Sequence, residues 1–176
     1  MSITLEPGKL GVMAVETRAG WVGLAFSEQG LVELRFPVPC RDEALQGLQA
    51  GFPDAPLLPD NVWGSAQDQL RRYFAGERVD FDVPLDLHSH TPFRRRVWEV
   101  ARRIPHGQTR SYSWVAQEIG APKAYRAVGS ALAANPVPII IPCHRVLRSD
   151  GSLGGFGGGL ALKQRLLEME AVGNIP

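Results

Sequence analysis

The stretch RAVGSALAANPVPIIIPCHRVL, residues 126–147, decides the fold and poses the functional question. It opens inside a helix, roughly Ala124 to Ala134, whose outer positions are mostly Ala, Gly and Ser, so that its backbone can approach a partner closely. Asn135-Pro136 ends that helix, because proline brings no amide donor and its ring crowds the preceding turn. An apolar run between prolines then delivers Cys143 beside His144 and Arg145. A thiol is a useful nucleophile only as thiolate, and an imidazole and a guanidinium are the residue types that favour that form. Adjacency alone is weak evidence, since neighbours on an extended chain point to opposite sides and His144 would reach Cys143 only through a bend or a bridging water. Taken singly, Cys143 is more often a small buried hydrophobe, and His144 a hydrogen-bonded core residue.

Upstream, YSWVAQEI (112–119) reads as a short helix with Ser111 or Ser113 as cap and Gly120 as terminator. The turn Gly120–Lys123 joins it to the helix of the opening stretch, a helix-turn-helix pattern. Arg126 stands on the small face of the second helix, where a long cation has little intramolecular purpose. Further back, Thr91-Pro92 is an N-cap and N1 pair for a helix with Phe93, Val97, Val100, Ala101 and Ile104 on one face and Arg94, Arg95, Arg102 and Arg103 on the other. Downstream, RSDGSLGGFGGG has six glycines between Gly151 and Gly159 and reads as a loop with unusual backbone or close approaches. It lacks the strand-to-helix setting and Lys-Ser/Thr pair of a phosphate loop, which argues against nucleotide binding. A last helix, LALKQRLLEMEA (160–171), is expected to turn Leu162, Leu166, Leu167 and Met169 inward, with Glu170 near its end.

The first half differs in kind. MAVET (13–17), WVGLAF (21–26) and LVELRF (31–36) are β-type runs separated by turn residues, a small antiparallel meander. A helix over DEALQGLQ, a Pro-rich connector and a helix from about Val62 to Phe74 follow, the latter capped by Asp60 or Asn61 and stopped at Gly76. FDVPLDL returns as a strand or extended linker, and His88–Pro92 reads as a boundary between domains 1–88 and 89–176.

The chain has 176 residues, 44% hydrophobic and 21% charged, a soluble globular composition. No run approaches the roughly 18 apolar residues of a membrane span, and the N-terminus lacks a signal-peptide pattern, so a cytoplasmic location is expected. Cys40 and Cys143 are too few for a disulfide framework, and four scattered histidines give no metal pattern, so no metal is expected. The net charge of +1 conceals a division: residues 1–88 hold 7 Lys/Arg against 13 Asp/Glu, residues 89–176 hold 12 against 5. A basic second half suits a polyanion, although mutual attraction of the halves would look the same.

The segment RAVGSALAANPVPIIIPCHRVL, with SYSWVA, the glycine loop ending in GGL and the final LLEME, closely resembles the core of the O6-alkylguanine-DNA alkyltransferases from about Pro92 to Glu170. The resemblance implies an α/β (α+β) fold, a ribonuclease-H-like antiparallel sheet domain followed by a mostly helical, winged helix-turn-helix-like domain. It implies a monomer acting on double-stranded DNA that carries O6-alkylguanine, from the minor-groove side and largely without regard to sequence, with no cofactor. The activity implied is direct-reversal repair: irreversible, single-turnover transfer of the alkyl group to Cys143 after the base is flipped, with O4 of thymine as a secondary target. Cys143 would be the nucleophile, His144 a base acting through a water, Glu170 its orienting partner, Tyr112 the proton donor toward guanine N3, and Asn135 the lock on the turn. Arg126 would fill the space left by the extruded nucleotide, with Tyr125, Ala127, Gly129, Ser113 and Lys123 also on the DNA side. The carbonyls of Cys143 and Val146 would accept from the guanine amine, Gly157 N–H would meet O6, Phe156 and Gly158 would complete the pocket, and Arg145 would be structural. Phe156, Gly157 and Tyr125 depart from the family pattern, which favours tyrosine, serine and a small residue there. A damage-binding relative without transfer, a helix-turn-helix regulator and a cysteine hydrolase are the rival readings.

Overall fold

The computed structural model describes residues 9–60 and 62–172. The chain divides into two compact units, Met1–Asp86 and Leu87–Pro176. In the first, β1 (Gly11–Thr17), β2 (Gly20–Phe26) and β3 (Leu31–Val38) form an antiparallel sheet in the order β1-β2-β3, the meander expected from the turn residues. Side chains alternate across a strand. Val12 and Ala14 therefore pack with Leu48, Ala44 and Leu45 of α1 (Arg41–Gln49), while Met13 lies within reach of Gln67 of α2 (Gly64–Phe74). Helices cover both faces, and that is why Val12, Met13, Ala14 and Val15 are buried without a break. Gly23 lets α1 approach, since a Cβ there would stand 2.9 Å from the Ala44 carbonyl oxygen.

The start of α2 differs from expectation. Trp63, in a left-handed conformation with φ 56°, occupies the cap position, and among the described residues no side chain caps the helix. The Asp60 carbonyl instead accepts from Gln67 Nε2 at 2.6 Å, and Asn61 lies outside the described residues. FDVPLDL runs beside β3 as an extended segment, with Leu31 N donating to Pro84 O and Asp86 N to Leu31 O.

The second unit holds α3 (Pro92–Arg102), β4 (Arg110–Ser111), α4 (Tyr112–Glu118), α5 (Tyr125–Ala133), a 3-10 turn (Cys143–Arg145), β5 (Val146–Leu147) and α6 (Leu160–Val172). Both expected caps form: Thr91 Oγ1 accepts from Arg94 N, and Ser111 Oγ accepts from Trp114 N at 3.0 Å. Gly120, at φ +73°, closes α4, with Ala121 N reaching back to Ala116 O. On α3, Val97, Val100, Ala101 and Ile104 are buried as expected, whereas Phe93, one turn earlier, is 36% exposed. Trp98 joins the core instead, and its Nε1 donates to the Ala131 carbonyl at 2.9 Å, which ties α3 to α5.

A second correction concerns α6. Its buried positions are Lys163, Leu166 and Glu170, while Leu162, Leu167 and Met169 are only half-buried. Two charged side chains occupy the inner stripe because each finds buried partners of complementary polarity, which offset its desolvation. Among the described residues, no helix is long and apolar enough to cross a membrane.

Trp98→Phe keeps an aromatic ring but removes the bond to Ala131. It should destabilise the protein by about 1–3 kcal/mol, as read from the midpoint of urea unfolding.

Candidate active site

The turn between α5 and the thiol is held by one side chain. Asn135 Oδ1 accepts from Val137 N at 2.9 Å, while Nδ2 donates to Ile141 O at 2.9 Å and to Cys143 Sγ at 3.1 Å. Within the turn Ile139 adopts φ 77°, an unfavourable conformation for a β-branched residue, and is 1% exposed. The three Asn135 bonds and complete burial hold that strain. Cys143 N then bonds Ile141 O at 2.7 Å and Arg145 N bonds Pro142 O at 3.0 Å, so the chain coils where the thiol and imidazole stand. This bend removes the objection that neighbours on an extended chain point apart.

Burial pushes the Cys143 thiol up, against the pull of the Asn135 bond and of the Lys163 charge. The thiol therefore needs a base. His144 is wholly buried and its Nε2 bonds Glu170 Oε1 at 2.7 Å. Burial lowers its pKa in spite of Glu170, which keeps the imidazole neutral. Nε2 then carries the proton given to Glu170, and Nδ1 carries the lone pair.

Glu170 gathers more than the histidine. Arg145 Nε donates to Oε2 at 2.8 Å and its Nη2 to Oε1 at 2.9 Å, while Gly107 N donates to Oε2 at 3.1 Å. Arg145 Nη1 also reaches Ile104 O at 2.7 Å. Burial pushes the Glu170 carboxyl up, but the bonds from His144 and Arg145 outweigh it and hold it well below the usual carboxylate range. Arg145 thus makes an ion pair with the same carboxylate that orients the histidine.

A cavity of about 740 Å³ opens in this unit, lined by Tyr112, Tyr125, Gly129, Arg148, Phe156 and Gly157 among others. Burial, then the nearby Cys143 charge, raises the Tyr112 phenol, so it stays protonated. Gly154 is required beside it: φ is +66° and a Cβ would stand 2.7 Å from the phenol oxygen. The Phe156 ring meets His144 edge-on at 6.5 Å. Gly129 brings α5 close to the Tyr112 ring, 3.9 Å from where its Cβ would be.

Lys163 escaped the sequence reading. It is wholly buried, and its ammonium donates to Val146 O at 2.7 Å and to Leu153 O, and lies 6.0 Å from the Tyr112 ring centre. Burial lowers its pKa to about 8. It joins the strand after the thiol to the glycine loop. The one available cue was its place three and seven residues before Leu166 and Glu170, a helical stripe that the leucines obscured.

Cys143, His144, Glu170 and Asn135 thus belong to a single turn and its hydrogen-bonded partners, and Tyr112, Ser113, Tyr125, Gly129, Phe156 and Gly157 line one cavity. Arg126, Ala127 and Lys123 are exposed, with the Arg126 guanidinium 6.0 Å from the Tyr125 ring centre. Val146 is fully buried, and neither it nor Gly158 lines the cavity. The carbonyls expected to read guanine already serve the fold: Cys143 O accepts from Val146 N, and Val146 O from Lys163. Each keeps a second lone pair. Among the described residues no cluster of His, Cys, Asp and Glu forms a metal site.

Residues 92–172 match the family described as 6-O-methylguanine DNA methyltransferase, DNA binding domain, and residues 15–87 its ribonuclease-like domain. The chain is 42% identical over 156 residues to the methylated-DNA–protein-cysteine methyltransferase of Mycolicibacterium paratuberculosis, covering 89% of each chain. It is similar to the crystal structure of the Mycobacterium tuberculosis O6-methylguanine methyltransferase, with 39% identity, TM-score 0.77 and 95% of both chains covered. The Mycobacterium tuberculosis OGT in complex with DNA gives TM-score 0.79 at 41% identity, over 92% of this chain and 93% of that one.

Glu170→Gln leaves the buried Arg145 guanidinium without its carboxylate, and a loss of about 3–5 kcal/mol at pH 7 is expected. Because the folded pKa is depressed, the carboxylate stabilises above its unfolded value of about 4.3 and that contribution fades as pH falls toward the folded value. Urea unfolding from pH 7 to pH 3 should show the gap between wild type and variant narrowing below about pH 4. Lys163→Met releases the Val146 and Leu153 carbonyls, so amide hydrogen exchange should quicken in residues 148–159 and stay unchanged in β1 to β3.

Proposed function

The chain belongs to the 6-O-methylguanine DNA methyltransferase family, and from that premise we propose that it repairs duplex DNA by moving an alkyl group from O6 of guanine to its own Cys143. The observation that carries this reading is the connected set Asn135–Cys143 and His144–Glu170, in the same unit as a cavity of about 740 Å³, roomy enough to admit a nucleobase. Inside a duplex the O6 substituent is out of reach of a protein thiol. The nucleotide is therefore extruded, at a cost of a few kcal/mol. Arg126, exposed near the start of α5, takes the vacated place in the stack, and the small residues Ala127 and Gly129 let that helix lie close in the minor groove. Contacts there carry little sequence information, which suits a protein whose target is the lesion.

In the pocket, His144 Nδ1 accepts the Cys143 proton through a water, and Glu170 steadies the imidazolium that results. The thiolate electron pair forms the bond to the alkyl carbon while the bond from that carbon to O6 breaks. The pair released onto guanine is met by a proton from the Tyr112 hydroxyl at N3, and Tyr112 recovers a proton from the His144 relay. One proton has then passed from Cys143 to guanine and no cofactor takes part. The thioether is not cleaved by water or by this relay, so each protein acts once.

Incubation with a duplex carrying O6-methylguanine should add one methyl group, on the Cys143 peptide and at no more than one per protein, as weighed by mass spectrometry. Cys143→Ser should take up none while still binding the damaged duplex. An unmodified wild-type protein would point to a damage-binding protein, sequence-specific binding of undamaged DNA to a regulator, and turnover to a hydrolase.

A further inference from the structure

The helix α5 meets the cavity along one face. Tyr125, Gly129 and Ala133, spaced four residues apart and so on the same side of the helix, all line it. Two of the three are small. Tyr125 is not, although the family pattern favours a small residue there. It is 48% exposed, and of the large hydrophobic residues exposed among the described ones, Leu57, Phe93, Tyr125 and Leu160, it alone lines this cavity. An aromatic ring left in water at the edge of a binding cavity is surface available to a partner.

Helix geometry says which end of the cavity the ring serves. At 1.5 Å per residue, Tyr125 stands about 12 Å along the axis from Ala133, and Ala133 is two residues before the Asn135 that bonds the thiol. The ring thus belongs to the start of α5, at the opposite end of the helix from the thiol's partner. It shares that end with Arg126, whose guanidinium carbon lies 6.0 Å from the ring centre.

We propose that Tyr125 is an aromatic platform that stacks on a nucleobase flanking the gap left by the extruded nucleotide. The assignment rests on the reading in which Arg126 occupies that gap. Successive bases of a strand are about 3.4 Å apart, so a ring 6.0 Å from the guanidinium comes within two base steps of it. Extrusion strips a neighbouring base of its stacking partner, and the ring supplies another. Every base has a π-face, so such a platform works in any sequence, as a protein whose target is the lesion requires.

Equilibrium binding is measured in a Cys143→Ser background, which blocks transfer, on duplexes in which 2-aminopurine stands on one side or the other of O6-methylguanine. At one of the two positions the bound probe should be dimmer with Tyr125 than with Tyr125→Ala, because stacking quenches it. Tyr125→Ala should weaken binding of the damaged duplex about tenfold, and Tyr125→Phe, which keeps the ring, should not. The loss should vanish when the base at the responding position is replaced by an abasic residue. A loss that persists on the abasic duplex would put the ring on sugar or phosphate and overturn the proposal. So would the absence of quenching at both positions, or a Tyr125→Phe variant as weak as Tyr125→Ala. A lower urea midpoint in Tyr125→Ala that accounts for its weaker binding would make the ring a packing residue, with the same consequence. Failure of the wild-type protein to acquire a methyl group would instead count against alkyl transfer, and is read separately by mass.

Discussion

The buried carboxylate of Glu170 organises the second unit. It stands on the last turns of α6 and receives donors from three separate places: the imidazole of His144, the fork of Arg145 and the amide of Gly107. A charge so deep is tolerable only when every lone pair is occupied and the countercharge is at contact distance. Meeting that condition fixes where α6 ends against the 3-10 turn. It also sets which nitrogen of His144 holds its proton. Arg145, by adding a bond to Ile104 O, brings the end of α3 into the same arrangement. The ion pair is therefore both a structural joint and the electrostatic setting of the imidazole.

A second polar joint works alongside it. Asn135 ends α5 and then spends its whole side chain on the next eight residues, holding the strained turn at Ile139 and giving a hydrogen bond to the thiol. Lys163 does for the glycine loop what Glu170 does for the 3-10 turn, with backbone carbonyls in place of a carboxylate. Thiol, imidazole and loop are each positioned by a buried polar group whose partners come from elsewhere in the chain. The aliphatic core, Val97, Ile104, Val128 and Ile141 among it, supplies the dry surroundings that make those bonds strong.

Much of this was legible in the sequence because it is written in local rules. Thr91-Pro92 and Ser111 act as helix starts, Gly120 and Asn135-Pro136 as stops, and three β-type runs separated by turn residues give the meander. What failed also has local causes. The cap expected at Asp60 was displaced by Trp63, whose ring stacks on Phe26 at 4.6 Å, a contact with a strand far earlier in the chain. The leucines of α6 were assigned inward by hydrophobicity, and Lys163 was passed over for the same reason. A charged residue reads as solvent-facing until its partners are known.

The sequence by itself determined several helix starts and stops, the three-stranded meander and, through PCHR and its flanks, the family to which the thiol belongs. Only the tertiary structure decided what each polar group touches. It showed that Glu170 serves His144 and Arg145 at once, that Lys163 is an interior residue, and that Arg148 and Ser149 share a cavity wall with Ser113. Caps, breaks and periodicity act over a few residues and leave a mark in the order of the letters. Hydrogen bonds between positions 26, 36 or 63 apart depend on how the elements pack, and packing is set by the whole chain.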